Sequence, residues 1–92
     1  NGIEAQNSDR VQILNNLVRF NGENGVYVNP SDDVVINGNT IFSNVSDGIE
    51  SNGGTNLTVT GNNVYDNGSD GIEVNGNGGF VTISNNNFND NN

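Results

Sequence analysis

The feature that most constrains the fold is an internal repeat of 23 residues. A glycine followed by an aliphatic residue recurs four times at this spacing, at Gly2-Ile3, Gly25-Val26, Gly48-Ile49 and Gly71-Ile72. A period of about 20 to 50 residues indicates a solenoid, in which each repeat buries its apolar side chains only against its neighbours. We therefore interpret the chain, residues 1–92, as a single solenoid domain. It is divided into four coils, residues 2–24, 25–47, 48–70 and 71–92.

Five apolar columns follow the repeat if one extra residue is placed near Gly78-Gly79. The columns are Ile3, Val26, Ile49, Ile72; Ala5, Val28, Ser51, Val74; Val11, Val34, Leu57, Val81; Ile13, Ile36, Val59, Ile83; and Val18, Ile41, Val64, Phe88. Within a coil the apolar residues alternate, which is the period of a β-strand. We expect three short strands per coil, in the first coil over residues 2–6, 10–14 and 17–20. No strand has a hairpin partner in its own coil, so each must pair in parallel, and in register, with its equivalent one coil away.

Two further columns contain only asparagine. They are Asn16, Asn39, Asn62, Asn86 and Asn21, Asn44, Asn67, Asn91. A carboxamide both donates and accepts hydrogen bonds, and asparagine tolerates the left-handed conformation of a sharp corner. The pattern predicts two inward amide ladders, in which stacked asparagine side chains hydrogen-bond from one coil to the next.

The combined pattern G-I-E-V-N, then V-x-I-x-x-N-x-V-x-x-N, resembles the parallel β-helix repeat of the pectate-lyase-like superfamily. It is similar in style to the asparagine-rich repeats of periplasmic copper-site maturation proteins, of mannuronan C5-epimerases and of many surface proteins. The resemblance covers the whole chain and implies an all-β, right-handed, single-stranded parallel β-helix, in agreement with the crossover rule for parallel strands. It implies little about activity, because this scaffold carries lyases, hydrolases, epimerases, adhesins and structural rods.

The composition restricts the possible functions. The net charge is −9, and Arg10 and Arg19 are the two basic residues, which argues against binding to nucleic acid. No apolar run is long enough for insertion into a membrane. The enzymes that the repeat resembles use a base beside Arg, Lys, His or a metal, and the Asp-Pro-His signature of the epimerases is missing here. We therefore expect no catalytic site in these coils, and no required cofactor.

An acidic column is predicted on the outer face of the first strand, where Glu50 and Glu73 occupy adjacent coils. With Asp47 and Asp70, which precede the glycine column, these carboxylates could hold Ca²⁺. Two alternatives remain open. The column could be a solvated acidic face that keeps a repetitive rod soluble, or a carboxylate pair for acid–base chemistry.

An aromatic column is predicted on the outer face of the third strand, where Phe42 and Tyr65 follow Arg19. These side chains could bind a sugar ring, form a lateral contact with another chain, or stack on one another across coils. The outward residues Leu14, Leu17 and Phe20 of the first coil would extend this surface into an apolar patch.

Three Asn-x-Ser/Thr sequons occur, at Asn44, Asn56 and Asn67. Asn44 and Asn67 belong to an inward ladder, so a glycan there would conflict with the fold. Asn56 lies at a corner and could carry a glycan.

Neither end of the chain shows a capping helix, a charged strand or a proline barrier, although solenoids need such caps. We therefore expect either flanking β-helix coils or copies of the chain stacked end to end. The favoured function is a structural or adhesive module of an extracellular or cell-surface protein, which could form fibres by end-to-end stacking. The alternatives are a non-catalytic fragment of a polysaccharide lyase, hydrolase or epimerase, and a carbohydrate-binding module.

Overall fold

The computed structural model describes residues 1–92 as a parallel β-solenoid of twelve short strands. The strands are β1 (Ile3–Gln6), β2 (Gln12–Leu14), β3 (Leu17–Arg19), β4 (Val26–Asn29), β5 (Val34–Asn37), β6 (Thr40–Phe42), β7 (Ile49–Asn52), β8 (Thr55–Thr60), β9 (Asn63–Tyr65), β10 (Ile72–Asn75), β11 (Gly78–Ser84) and β12 (Asn87–Asn89). Three strands per coil confirm the prediction. The strands of the first coil are shorter than predicted, because Arg10 and Phe20 lie at corners with φ of 57° and 58°.

The strands form three parallel sheets of four strands each. Sheet one contains β1-β4-β7-β10, sheet two contains β2-β5-β8-β11, and sheet three contains β3-β6-β9-β12. The register pairs equivalent residues of adjacent coils, for example Ile13 with Ile36 and Ile36 with Val59. This pairing confirms the predicted columns.

The extra residue of the fourth coil also lies where the sequence placed it. Gly78 pairs with Thr55, but Val81 pairs with Leu57, so the register shifts between them. The resulting β-bulge turns Phe80 outward, where 83% of its side chain is exposed.

The core lies between the three sheets and is deepest in coils two and three. Its buried apolar residues are Ile13, Val18, Val26, Val28, Val34, Ile36, Ile41, Ile49, Leu57, Val59 and Val64. Ser51, the polar exception in the second column, is fully buried and accepts a hydrogen bond of 3.1 Å from Nδ2 of Asn77. That bond satisfies the hydroxyl group at a position otherwise occupied by aliphatic residues.

Both predicted amide ladders are present. In the first, Nδ2 of Asn39 donates to Oδ1 of Asn62 at 2.9 Å, and Nδ2 of Asn62 donates to Oδ1 of Asn86 at 2.9 Å. The same nitrogen of Asn62 also donates to the carbonyl oxygen of Ile36 at 2.9 Å. Each interior asparagine therefore joins its neighbouring coils by side-chain and backbone bonds within the dry interior.

The glycine column reflects close approach between coils. A Cβ atom at Gly25 would lie 2.6 Å from the carbonyl oxygen of Gly48, and one at Gly48 would lie 2.7 Å from that of Gly71. Any residue other than glycine at Gly25 or Gly48 would therefore have to displace backbone atoms of the next coil. The chain has no helix able to cross a membrane.

Candidate functional site

The outer face of sheet one carries the acidic column. Glu4, Tyr27, Glu50 and Glu73 lie side by side because β1, β4, β7 and β10 pair in register. Tyr27 and Glu50 also line a shallow cleft of about 520 Å³. The cleft extends to the corner before the glycine column, where Asn24 and Asp47 lie. Two sequence features, the acidic column and the corner before it, therefore meet at one surface.

Three of the four carboxylates proposed for calcium come together. One carboxylate oxygen from each of Asp47, Glu50 and Glu73 lies within 4.8 Å of the others. Oxygens that share one Ca²⁺ at about 2.3–2.6 Å lie no more than about 5 Å apart, so this spacing suits the ion. The fourth residue, Asp70, is exposed, and its carboxylate does not join this cluster. Its backbone nitrogen donates a hydrogen bond to Oδ1 of Asp47 at 2.9 Å.

The repeat provides an internal comparison for this cluster. Nδ2 of Asn24 donates to Oε2 of Glu50 at 2.6 Å. One coil further on, the equivalent pair is Asp47 and Glu73, so the amide donor is replaced by a second carboxylate. Asp47 is only 6% exposed, and its Oδ1 accepts a hydrogen bond from the Asp70 nitrogen. Its second carboxylate oxygen has no protein donor and is open to solvent, because no buried side-chain oxygen lacks a partner. Carboxylates this close repel one another, and a cation between them would offset the repulsion.

Glu50 is held in place by its neighbours. Besides the bond from Asn24, its Oε1 accepts a hydrogen bond from Nδ2 of Asn52, two residues along the same strand. Asn24 was not predicted to belong to this site. The sequence did contain a signal for it. Asn24, Asp47 and Asp70 occupy one column of the repeat, in which an amide side chain is followed by two carboxylates.

The aromatic column of sheet three forms a continuous stack. The ring centroids of Phe42 and Tyr65 lie 4.8 Å apart with an interplanar angle of 5°. Phe20 packs edge-on against Phe42 at 5.9 Å, and the guanidinium of Arg19 lies 5.3 Å from the Phe20 centroid. Intramolecular stacking, one of the predicted uses, is therefore present, and Phe20 joins the set.

The three sequons differ in accessibility. Asn44 and Asn67 are each 2% exposed and serve in the second amide ladder. Asn56 is exposed, but Nδ2 donates to Oδ1 of Asp33 at 2.9 Å and Oδ1 accepts from the Phe80 nitrogen at 3.2 Å. A glycan at Asn56, which stays a prediction, would be attached to Nδ2, the atom that makes the first of these bonds.

The last surface of interest is the coil-four face, which we define as the inward side chains of coil four on the side away from coil three. It contains Val81, Ile83 and Phe88, which are exposed, and Asn86 and Asn91, which are half-buried. Apolar residues of this size, grouped and exposed, mark a contact surface.

Comparison with known proteins identifies the architecture. The family model described as a right handed beta helix region matches residues 1–92. No curated protein and no solved structure matches the chain. The match confirms the right-handed winding that the family resemblance implied.

Proposed function

The chain belongs to the right-handed β-helix family, and from that premise we propose that it is a structural module that stacks on further β-helix coils. The observation that carries this proposal is the coil-four face. Its apolar side chains continue the interior columns of coils two and three, where the equivalent residues are fully buried. A solenoid gains stability from each interface between neighbouring coils, so one more coil on this face would bury Val81, Ile83 and Phe88.

The proposed setting is an extracellular or cell-surface assembly, with filament formation as its extended form. An acidic, cysteine-free rod with a net charge of −9 suits an exposed, soluble surface structure. Antibody labelling of intact source cells tests the location. Labelling only after permeabilisation would contradict it.

Sedimentation velocity over a wide range of protein concentrations tests the structural proposal. We expect the sedimentation coefficient to rise with protein concentration. Negative-stain micrographs should show rods or filaments that have the width of one chain but are longer than one chain. A single monomeric species at every concentration, with native β-sheet circular dichroism, would contradict the proposal.

The enzymatic alternative places a polysaccharide lyase, hydrolase or epimerase function on the acidic cleft. Against it, neither arginine lies beside the carboxylates, since Arg19 packs on Phe20 in sheet three and Arg10 lies at a sheet-two corner. Incubation with acidic polysaccharides separates the two classes. Unsaturated or shortened products that disappear in Glu50→Gln would favour the enzyme.

We also propose calcium binding at Asp47, Glu50 and Glu73, on the specific observation that Asp47 replaces the amide of Asn24. The matched variant is Asp47→Asn, which restores the amide found one coil earlier and can donate to Glu73. We expect wild-type protein to bind Ca²⁺ in isothermal titration calorimetry and to melt at higher temperature with it. The variant should lose both responses. Equal heats for the two proteins, or none for the wild type, would contradict a calcium site.

The aromatic stack supports lateral contact with another chain better than sugar binding. Phe42 and Tyr65 each cover one face of the other ring, so less aromatic face remains for a sugar ring, which packs on such a face. A glycan array probed with wild type and Tyr65→Ala tests this choice. Binding that the substitution abolishes would favour a carbohydrate-binding module.

A further inference from the structure

The corners of the solenoid place glycine directly after asparagine, a pair in which the side chain can react with its own backbone. Four Asn-Gly pairs have their glycine in coil two or coil three, at Gly25, Gly38, Gly53 and Gly68. Because glycine has no Cβ atom, its nitrogen can approach the carbon of the preceding carboxamide without steric hindrance. The four pairs share this chemistry and differ in how the fold holds them.

The glycine nitrogen must leave its hydrogen bond before it can attack the carboxamide. The Gly53 nitrogen donates to a coil-four carbonyl oxygen at 2.7 Å, and the nitrogens of Gly25 and Gly68 each donate at 2.9 Å. The Gly38 nitrogen donates to the carbonyl oxygen of Thr60 at 3.3 Å, which is longer than a usual backbone hydrogen bond. Of the four nitrogens, that of Gly38 is therefore the most easily released.

The carboxamides also differ in their access to water. Asn67 and Asn24 are 2% and 7% exposed, and Asn52 is half-buried and donates to the carboxylate of Glu50. Asn37 is exposed on the outer face of sheet two, and Gly38 after it is exposed as well. This is the one pair of the four in which water reaches both residues.

A hydroxyl group lies beside the Asn37 carboxamide. Its Nδ2 donates to Oγ1 of Thr60 at 2.7 Å and to the carbonyl oxygen of Thr60 at 3.0 Å. A carboxamide nitrogen leaves as ammonia only after it gains a proton, and a hydroxyl both accepts and donates hydrogen bonds. Thr60 is therefore in place to supply that proton.

We propose that Asn37 is a modification site, at which the chain converts its own carboxamide to a carboxylate with the help of Thr60. The Gly38 nitrogen gives its proton to water or hydroxide and forms a bond to Cγ of Asn37. The bond from Cγ to Nδ2 then breaks, and Nδ2 takes a proton from the Thr60 hydroxyl, which regains one from water. Ammonia leaves, and a cyclic imide remains. Water that adds at Cγ gives aspartate, whereas water that adds at the main-chain carbonyl carbon gives isoaspartate.

The corner itself requires the glycine of this pair. Gly38 has φ of 70°, and a Cβ atom there would lie 2.4 Å from Oδ1 of Asn15. The next coil forms the same corner with Thr60 and Gly61, whose φ is 66°, so the corner does not require asparagine. Reactivity at this position therefore comes from Asn37, and either product loses the two hydrogen bonds that Nδ2 donates to Thr60.

The test follows the folded protein by peptide mass spectrometry during incubation in mildly alkaline buffer, which favours loss of the glycine proton. Digestion in heavy-oxygen water marks any conversion that occurs after unfolding. We expect Asn37 to convert at least about tenfold faster than Asn24, Asn52 and Asn67, since about one hydrogen bond of restraint separates them. Conversion at Asn37 that is no faster than at Asn52 would overturn the proposal. So would an intact Asn37 after a synthetic peptide of residues 34–41 has converted completely.

Two substitutions at Thr60 test the hydroxyl. Thr60→Val keeps the shape of the side chain without the hydroxyl and should slow conversion of Asn37 by more than about fivefold. Thr60→Ser retains the hydroxyl and should convert at nearly the wild-type rate. Thermal melting checks that both variants are folded. Equal rates in folded Thr60→Val and wild type would overturn the role of Thr60.

The matched control at the reacting residue is Asn37→Thr, which installs the corner of the next coil. This variant should remain folded and show no mass change in the peptide of residues 34–41. Its other three pairs should convert at wild-type rates, because their hydrogen bonds are unchanged. A mass change in that peptide of the variant would show that Asn37 is not the reacting residue and would overturn the proposal.

Discussion

Coils two and three differ sharply from coil four, although all carry the same sequence pattern. The same three strands form in each, and the paired registers continue from one to the next. Yet Ile36 and Val59 are completely buried, whereas Ile83 in the same column is 42% exposed. Strand formation therefore follows the pattern within a coil, while burial depends on cover from the next coil along the chain. Ile13 of coil one has that cover from coil two and is only 5% exposed. In a solenoid the same residue contributes different amounts of stability at different positions.

The largest effect expected from this comparison concerns the first amide ladder. Asn62→Ala removes the acceptor for both nitrogens of Asn39 and the donor to the Ile36 carbonyl, all within the core. We expect it to lower the free energy of unfolding by about 4 kcal/mol, because each buried group left unpaired costs about 1–3 kcal/mol. Asn86→Ala, at the half-buried end of the ladder, should cost about 1–2 kcal/mol.

Urea denaturation of dilute, monomeric protein measures both values. Equal losses in the two variants would show that a covering coil does not change the contribution of a ladder amide.

The next effect compares one residue type at two positions in a single apolar column. Ile36→Ala should cost about 3 kcal/mol, through lost apolar burial and the cavity that remains. Ile83→Ala should cost about 1 kcal/mol in the monomer, because its side chain is already partly in water.

This second comparison can be sharpened by raising the protein concentration. If another coil stacks on Ile83, its substitution should also weaken assembly, whereas the monomer measurement is unaffected. The pair is measured by thermal and urea unfolding at two concentrations. A cost for Ile83→Ala as large as that for Ile36→Ala in the monomer would contradict the burial argument.

The smallest effect concerns the aromatic column. Phe42 has a ring neighbour on both sides, Phe20 and Tyr65, whereas Tyr65 has one. Each aromatic contact contributes about 0.5–1.5 kcal/mol beyond its burial, so Phe42→Ala should be about 1 kcal/mol more destabilising than Tyr65→Ala. A double-mutant cycle of the two variants measures the coupling energy, and a value near zero would show that the stack is only a geometric consequence of the register.

Much of this fold could be predicted because each coil repeats the same pattern of inward and outward residues. The columns through Ile36 and Asn62 predicted inward positions. The one extra residue near Gly79 predicted the register shift that turns Phe80 outward. Details at corners were harder. Arg10 and Phe20 were assigned to strands, but the chain turns at both, because left-handed corners accept several residue types when the neighbouring coils hold them.

The candidate site could be predicted only in part. Sequence spacing placed Glu50 and Glu73 together, since parallel strands bring residues one coil apart into contact. It did not separate Asp47 from Asp70, which occupy the same column. The orientation of each carboxylate depends on backbone donors and on which side chain follows in the next coil, and these are properties of the packed structure.

By itself the sequence determined the period, the strand faces, the parallel register and the inward asparagines, because each of these follows from repetition at a spacing of 23 residues. Only the tertiary structure decided the direction of the hydrogen bonds in each ladder. An amide can donate or accept, and the choice depends on how its side chain is oriented relative to the coil above and the coil below.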